Sequence, residues 1–403
     1  MSAVRVLWVK VGGLWPLDRG GRIRSFHTIA ELSRRHRVTV LTTHGPGDDP
    51  EELIRRLPHC ERVVSVPHAL PKQGTRRFAA ALVRSWLSPL PVDLWKCRVP
   101  ALRAEVARLV SAGAVDLCVA DFLAAAANVP RGGAVPVVLF EHNVEHVIWR
   151  RLAWVETRPV QRALLEVEWR KMRRGESRAC AQAHLTVAVS DRDRELLAAL
   201  VPGARVRAIP TGVDTAFFTR NGRPETPGAL VFVGAMDWHP NEDGVLHFVE
   251  AILPRIRREA PEASLTVVGR NPTARLRAVG AGAGVRVTGT VDDVRPYVDE
   301  AAVCVVPLRV GGGTRLKIFE ALAMAKPVVS TAVGAEGLPL VPGEHFLQAD
   351  TPDDFAAAVV SLLRDAPRRA ALGLAGRRLV EERFGWAQVA REFEARCEEV
   401  LAR

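Results

Sequence analysis

Three consecutive glycines, Gly311, Gly312 and Gly313, are followed by Thr314, Arg315, Lys317 and Glu320. An apolar run, 303–307, precedes them. Leu316, Phe319, Leu322 and Ala323 then fall at helical spacing, and a second apolar run, 327–330, closes the stretch. Strand, glycine turn, helix and strand make a βαβ unit, which carries a helix N-terminus to the carboxyl edge of a parallel sheet. Backbone N–H groups and the helix dipole favour an anion there, and glycines let it approach because no Cβ intervenes. Arg315 and Lys317 oppose the dipole of their own helix, so a bound anion explains them better than helix stability does. Glu320 lies one turn on, where a carboxylate can reach a sugar hydroxyl. An ordinary tight turn with solvated charges is the plainer alternative for the glycines alone.

A second position is marked by a strand end. The apolar run 135–140 stops at Glu141-His142-Asn143. Polar residues just beyond a buried strand of an open α/β sheet face its ligand site. His142 can donate a hydrogen bond there, although a lone histidine is often structural.

The elements that must position these groups alternate throughout the chain. In the first half, 4–11 reads as a strand, 12–24 as a loop rich in glycine and charge, 23–35 as a helix and 38–42 as a strand. The loop is not G-x-G-x-x-G, so no dinucleotide fingerprint is supported. Gly20 and Gly21 with Arg22 and Arg24 are placed to let a substrate approach. Residues 211–228 are rich in turn formers and read as a connection. Strands then restart at 230–233, 265–268 and 285–288, with a helix read over 244–259, and helices over 351–364, 367–383 and 386–401 end the chain. Strand–helix alternation in both halves predicts α/β architecture with parallel sheets.

Composition narrows the class. A chain of 403 residues suits two domains. Six scattered cysteines without a C-x-x-C pair read as reduced thiols, not as a metal site or disulfide framework. The N-terminal strand lacks the basic flank of a signal peptide, and no run approaches the ~20 apolar residues of a membrane span. The net charge of +11 is uneven: residues 1–210 carry +13 and residues 211–403 carry −2. An acidic partner or an Arg-rich coding bias would each account for it. Within 71–90, arginines flank Phe78, Leu82, Trp86 and Leu87. That pattern fits a basic amphipathic helix at a membrane interface, or a helix packed on the first domain with a solvated basic edge. Nucleic-acid binding is not supported, because no basic–aromatic sheet or known module is present.

These residues together carry a resemblance. Pro210-Thr211-Gly212-Val213-Asp214, the segments 233–241, 268–272 and 287–294, and the glycine stretch resemble the retaining glycosyltransferases of family 4. Residues 16–24 and 141–145 are similar to its exopolysaccharide and exosortase-associated branch. The resemblance implies a GT-B fold, with two Rossmann-like parallel-sheet domains facing across a cleft. Its expected divisions are 1–210 for an acceptor, 211–384 for a nucleotide-sugar donor, and a helix at 385–403 returning to the first domain. The donor is a nucleotide diphosphate sugar, with no cofactor and no metal. Gly234, Asn241, Arg270, Gly289, Thr290, Val291, Gly311, Gly312, Gly313, Thr314 and Glu320 are then donor-binding. His142, Lys317, Arg315 and Glu320 serve catalysis, and Gly20, Gly21, Arg22 and Arg24 the acceptor. The match departs from the family at two points. Gly312 stands where the first glutamate of E-x(7)-E belongs. The Arg and Lys clamp after the first donor-domain strand is replaced by Ala235, Met236 and Asn241, which leaves Arg315 and Lys317 to supply the positive charge. The implied activity is sugar transfer to a saccharide, lipid-linked or small-molecule acceptor by a cytoplasmic protein, suited by its basic half to the inner face of the plasma membrane. The other reading is a non-catalytic subunit that binds a nucleotide sugar.

Overall fold

The computed structural model describes residues 3–71, 74–130, 132–133, 135–280, 284–310 and 315–402. The chain forms two compact units, Met1–Pro210 with Val389–Arg403, and Thr211–Gln388.

Unit 1 is built on seven parallel strands: β1 (Arg5–Lys10), β2 (Arg37–His44), β3 (Arg62–Pro67), β4 (Leu117–Asp121), β5 (Val137–Phe140), β6 (Leu185–Ala188) and β7 (Val206–Ala208). Their order is β3-β2-β1-β4-β5-β6-β7. β4 is buried along its whole length. Helices cover both faces of such a sheet, which is why its strands read as apolar runs and do not alternate. Residues 389–401 complete the unit. Phe393 packs 5.6 Å from the Trp8 ring and 5.0 Å from Phe140. Glu394 accepts hydrogen bonds from Arg35 and pairs with His36.

Unit 2 repeats the plan with β8 (Ala229–Val233), β9 (Ser264–Val268), β10 (Val285–Gly289), β11 (Val303–Val306), β12 (Val328–Ser330) and β13 (Leu347–Gln348). The order is β10-β9-β8-β11-β12-β13, again parallel. In each unit the order reverses beside the first strand, between β1 and β4 and between β8 and β11. Ligands of open α/β sheets sit in the crevice at the carboxyl edge of such a switch.

Two helix boundaries differ from expectation. The first helix runs Gly20–Leu32 and not from residue 23, so Gly20, Gly21, Arg22 and Arg24 belong to its first turns. A Cβ on Gly21 would overlap the Phe122 ring, a contact 101 positions away in sequence. The helix read over 244–259 starts at His239 and is broken by a π-helical turn at Phe248–Ile252, after which Leu253–Glu259 continues. Pro254 follows directly; its ring and missing N–H disrupt regular α-helical bonding to the preceding turn.

The helix Leu316–Ala323 buries Ile318, Phe319 and Leu322 and leaves Lys317 and Glu320 half-buried. Just beyond its end, Ala325 is held at φ +51. Helix Ala366–Arg383 packs closely against it: a Cβ on Gly373 would overlap the Ala325 carbonyl, and one on Gly376 the Leu322 side chain. No helix among the described residues is long and apolar enough to cross a membrane. Because a backbone carbonyl cannot yield, Gly373→Ala is expected to cost at least about 2 kcal/mol in urea unfolding. An unchanged midpoint would show that these helices separate freely.

Candidate functional site

In unit 2 the switch between β8 and β11 gathers three of the expected residues. Gly234 follows β8, and its N–H donates to Val268 O at 2.9 Å. Asn241 stands in the first turn of the helix His239–His247. Its Nδ2 donates to Ala235 O at 2.8 Å, which fixes the loop. Its Oδ1 accepts from Lys317 Nζ at 2.8 Å. The ammonium also lies 4.1 Å from the centre of the Phe232 ring. A Cβ on Gly234 would come 2.7 Å from Lys317 Nζ, so this glycine makes room for the cation.

The electrostatics are unusual for surface charges. Desolvation pushes Lys317 down to about 7, and Arg315 adds to the effect. Desolvation pushes Glu320 up to about 7, with Lys317 opposing. The two side chains are three residues apart on one helix, neighbours on its surface. The helix has no acidic residue in its first turn. Arg315 is buried, and its Nη2 donates to Val333 O at 3.2 Å. Near pH 7, then, an anion entering here would find an amine ready to take a proton and a helix whose first turn holds no carboxylate.

Of the remaining expected donor residues, Arg270, Gly289, Thr290 and Val291 are spread along the same edge. Arg270 follows β9 and lies 3.7 Å from Asp237. Gly289 ends β10 at φ +75, where the register against β9 shifts. Thr290 is exposed, and Val291 packs partly on the core. Gly311, Gly312, Gly313 and Thr314 lie outside the described residues.

In unit 1 the site grows from charges that end buried strands. Asp121 closes β4 and is fully buried. It accepts from Trp8 Nε1 at 2.8 Å and pairs with Lys10 Nζ at 3.2 Å. Burial alone would raise its pKa, but Lys10 and the hydrogen bond from His142 outweigh it and hold the carboxylate below its ordinary range. His142 Nε2 is 2.8 Å from Asp121 Oδ1. An ionised carboxylate can only accept, so Nε2 carries the proton and Nδ1 the lone pair. That Nδ1 is buried with no hydrogen-bond partner among the described residues. Desolvation pushes His142 down to about 3. At neutral pH it is an uncharged acceptor for a hydroxyl, not a cationic acid.

Phe122 walls this centre. Its ring stacks on His142 with centroids 3.7 Å apart and planes at 9°. Lys10 Nζ sits 4.1 Å from the centre of the same ring. Its backbone is at φ 69, ψ 156, a region essentially reserved for glycine. The sequence motifs leave out Lys10, Asp121 and Phe122. The signal available for the two charges was a charged residue ending an otherwise apolar strand.

The residues expected to meet an acceptor are occupied otherwise. Arg24 is buried; Nη1 donates to Glu141 O and Nη2 to Ile209 O, each at 2.8 Å, and its guanidinium lies 4.1 Å from the Phe140 ring. It braces the sheet edge and has no face left for substrate. Arg22 donates to Trp15 O, Gly12 O and Asp18 Oδ1, which fixes the glycine loop after β1. Gly21 serves the contact with Phe122, and Gly20 opens the helix. Among the described residues, no group of three or more His, Cys, Asp or Glu side chains could hold a metal.

His142 titrates lower in the folded chain than in the unfolded one. Between about pH 6.5 and about 3 the unfolded chain therefore binds a proton that the folded chain refuses. The stability at stake is intact above that window and is lost as pH falls through it. His142→Phe is expected to flatten the decline of melting temperature between pH 7 and 4. An unchanged slope would contradict a buried neutral imidazole.

Two family models match the chain: Glycosyltransferase Family 4 over residues 20–217 and Glycosyl transferases group 1 over residues 227–365. The glycogen synthase of Mycobacterium tuberculosis is 27% identical over 395 residues, 90% of this chain and 84% of that protein. A GDP-mannose-dependent alpha-(1-6)-phosphatidylinositol monomannoside mannosyltransferase of Mycolicibacterium smegmatis is 27% identical over 211 residues, 46% of this chain and 54% of that one. Among solved structures, a sucrose-phosphate synthase from Thermosynechococcus elongatus matches with a TM-score of 0.72 at 18% identity, covering 99% of each chain. HepE of Anabaena, solved in complex with UDP and glucose, matches at 0.64 and 14% identity over 98% of this chain and 99% of that one. These structural likenesses, with the two parallel sheets, identify the GT-B fold. The chain is a glycosyltransferase of that fold, with a family 4 domain followed by a group 1 domain.

Proposed function

We propose that the enzyme transfers a sugar from a nucleoside diphosphate sugar held by unit 2 to an acceptor bound by unit 1, with retention at the anomeric carbon. The product serves polysaccharide or glycolipid synthesis on the cytoplasmic side. The observation that carries the donor assignment is the desolvated Lys317 ammonium, held by Asn241 beside Gly234 at the sheet switch. The GDP-mannose dependence of the mannosyltransferase relative agrees with a nucleotide-sugar donor.

In this reading the bond from the sugar's anomeric carbon to the diphosphate breaks with its electron pair leaving on phosphate oxygen. Lys317 and Arg315 neutralise that charge, helped by backbone dipoles at the helix N-terminus. The acceptor hydroxyl bonds to the carbon on the face the diphosphate leaves, and its proton passes to the departing phosphate. Glu320 takes the ribose hydroxyls, and the lone pair of His142 Nδ1 takes a sugar hydroxyl. No enzyme carboxylate is assigned the nucleophile's part of a double displacement, and no metal takes part.

A panel of nucleoside diphosphate sugars, read by thermal stabilisation and then by the anomeric configuration of the product, tests the whole assignment. Stabilisation by none of them, or an inverted product, would overturn it. The diphosphate should also raise the pKa of Lys317 from about 7, so UDP or GDP binding at pH 8 is expected to take up close to one proton. Calorimetry in two buffers of different ionisation enthalpy reads this directly. Lys317→Ala should abolish the uptake and lower transfer by about a hundredfold or more while the chain stays folded. Activity should persist undiminished in EDTA; loss that added divalent ion restores would refute metal independence.

A further inference from the structure

A surface of unit 1 away from this chemistry has the make-up of a membrane contact. From Pro67 to Val92 the chain has no acidic residue and four cations, Lys72, Arg76, Arg77 and Arg84. The helix Arg76–Trp86 forms within this segment, capped by Thr75, whose hydroxyl accepts from Phe78 N at 3.2 Å. Phe78, Ala81, Leu82 and Ser85 face inward at i, i+3, i+4 and i+7. On a surface helix the opposite face is ordinarily polar. Here it carries Ala79, Ala80, Val83 and Leu87, with Val83 55% and Leu87 88% exposed.

The apolar surface does not end at the helix. Trp86, Ser88 and Pro89 line an open recess of about 450 Å³ with Leu164, Val167, Lys171 and Arg174 of the helix Pro159–Gln182. Val160 is exposed one turn along the same face as Leu164 and Val167. Lys171 Nζ donates to Ser85 O at 2.7 Å, so the two helices are fastened to each other. Scattered exposed apolar residues need no explanation, but a contiguous ledge does. Its cations settle what fits. Arg76, Arg77, Arg84 and Arg174 stand around it without an ion-pair partner among the described residues. Apolar side chains on an outward helix face, an aromatic at its edge and unpaired arginines beside it suit the plane where acyl chains meet anionic headgroups.

We infer that this ledge lies on an anionic lipid bilayer, with Val83, Trp86 and Leu87 entering the headgroup region and the four arginines meeting lipid phosphates. The inference does not depend on the transfer chemistry proposed above. It is tested by co-sedimenting the full chain with vesicles of phosphatidylcholine, with and without roughly one-third phosphatidylglycerol. Binding is expected only with the anionic lipid and should weaken as salt rises. Val83→Ser with Leu87→Ser, and separately Arg76→Gln with Arg77→Gln and Arg84→Gln, should each lower the vesicle affinity at least about tenfold. All five positions are exposed, so the melting temperature should stay at its wild-type value. Quenching by brominated lipid should fall in Trp86→Phe. Wild-type protein that stays in the supernatant overturns the inference, as do variants that bind as tightly as wild type. Self-association without vesicles that the Val83 and Leu87 changes abolish would also overturn it, by assigning the ledge to a second copy.

Discussion

The Lys317 ammonium is partly withdrawn from water, and its hydrogen-bond partner is the neutral amide of Asn241. A cation placed this way is held near its neutral form. Much of unit 2 around the switch serves that placement. Gly234 leaves space for it, Phe232 offers a ring face, and Asn241 is itself tied to the Ala235 carbonyl. Gly373 and Gly376 let a second helix press against the one that carries it. Stability alone gives no reason for the arrangement, since an aliphatic side chain would lie there at less cost. The diphosphate proposed to bind here would supply a reason.

Unit 1 treats its buried charges in the opposite way. Lys10 and Asp121 answer each other, and Trp8, Ser25 and His142 take up further hydrogen-bonding capacity. Within this cluster of Lys10, Asp121 and His142, the buried side-chain atom without a hydrogen-bond partner among the described residues is His142 Nδ1. Among the described residues, then, Lys317 forms no ion pair within reach of a hydrogen bond, and His142 Nδ1 has no hydrogen-bond partner. The proposed diphosphate and acceptor hydroxyls would suit that difference.

Much of the fold was legible because parallel strands covered on both faces must be apolar between their ends, as β1, β4, β8 and β11 are. The alternation of such runs with helical spacing was enough to indicate α/β architecture. Contacts remote in sequence were not legible. Asn241 and Lys317 are 76 positions apart, and nothing in the spacing of either announces the bond between them. Arg22 and Arg24 looked available because they follow two glycines. Only the folded chain shows their guanidinium groups turned onto the carbonyls of Gly12, Glu141 and Ile209. The π-helical turn at Phe248–Ile252 likewise depends on how a proline is accommodated within a longer helix, which a periodicity cannot convey.

The tail that carries Phe393 belongs with the first unit although it follows the second along the chain. Phe393 lies against Trp8 and Phe140, and Glu394 joins His36 and Arg35. A fragment ending at Pro210 would bare two large aromatic rings to water. Recombination between enzymes of this architecture therefore has two seams to respect and not one. A chimera that exchanges the first half must bring its own closing segment, and one that exchanges the second must leave the recipient's in place.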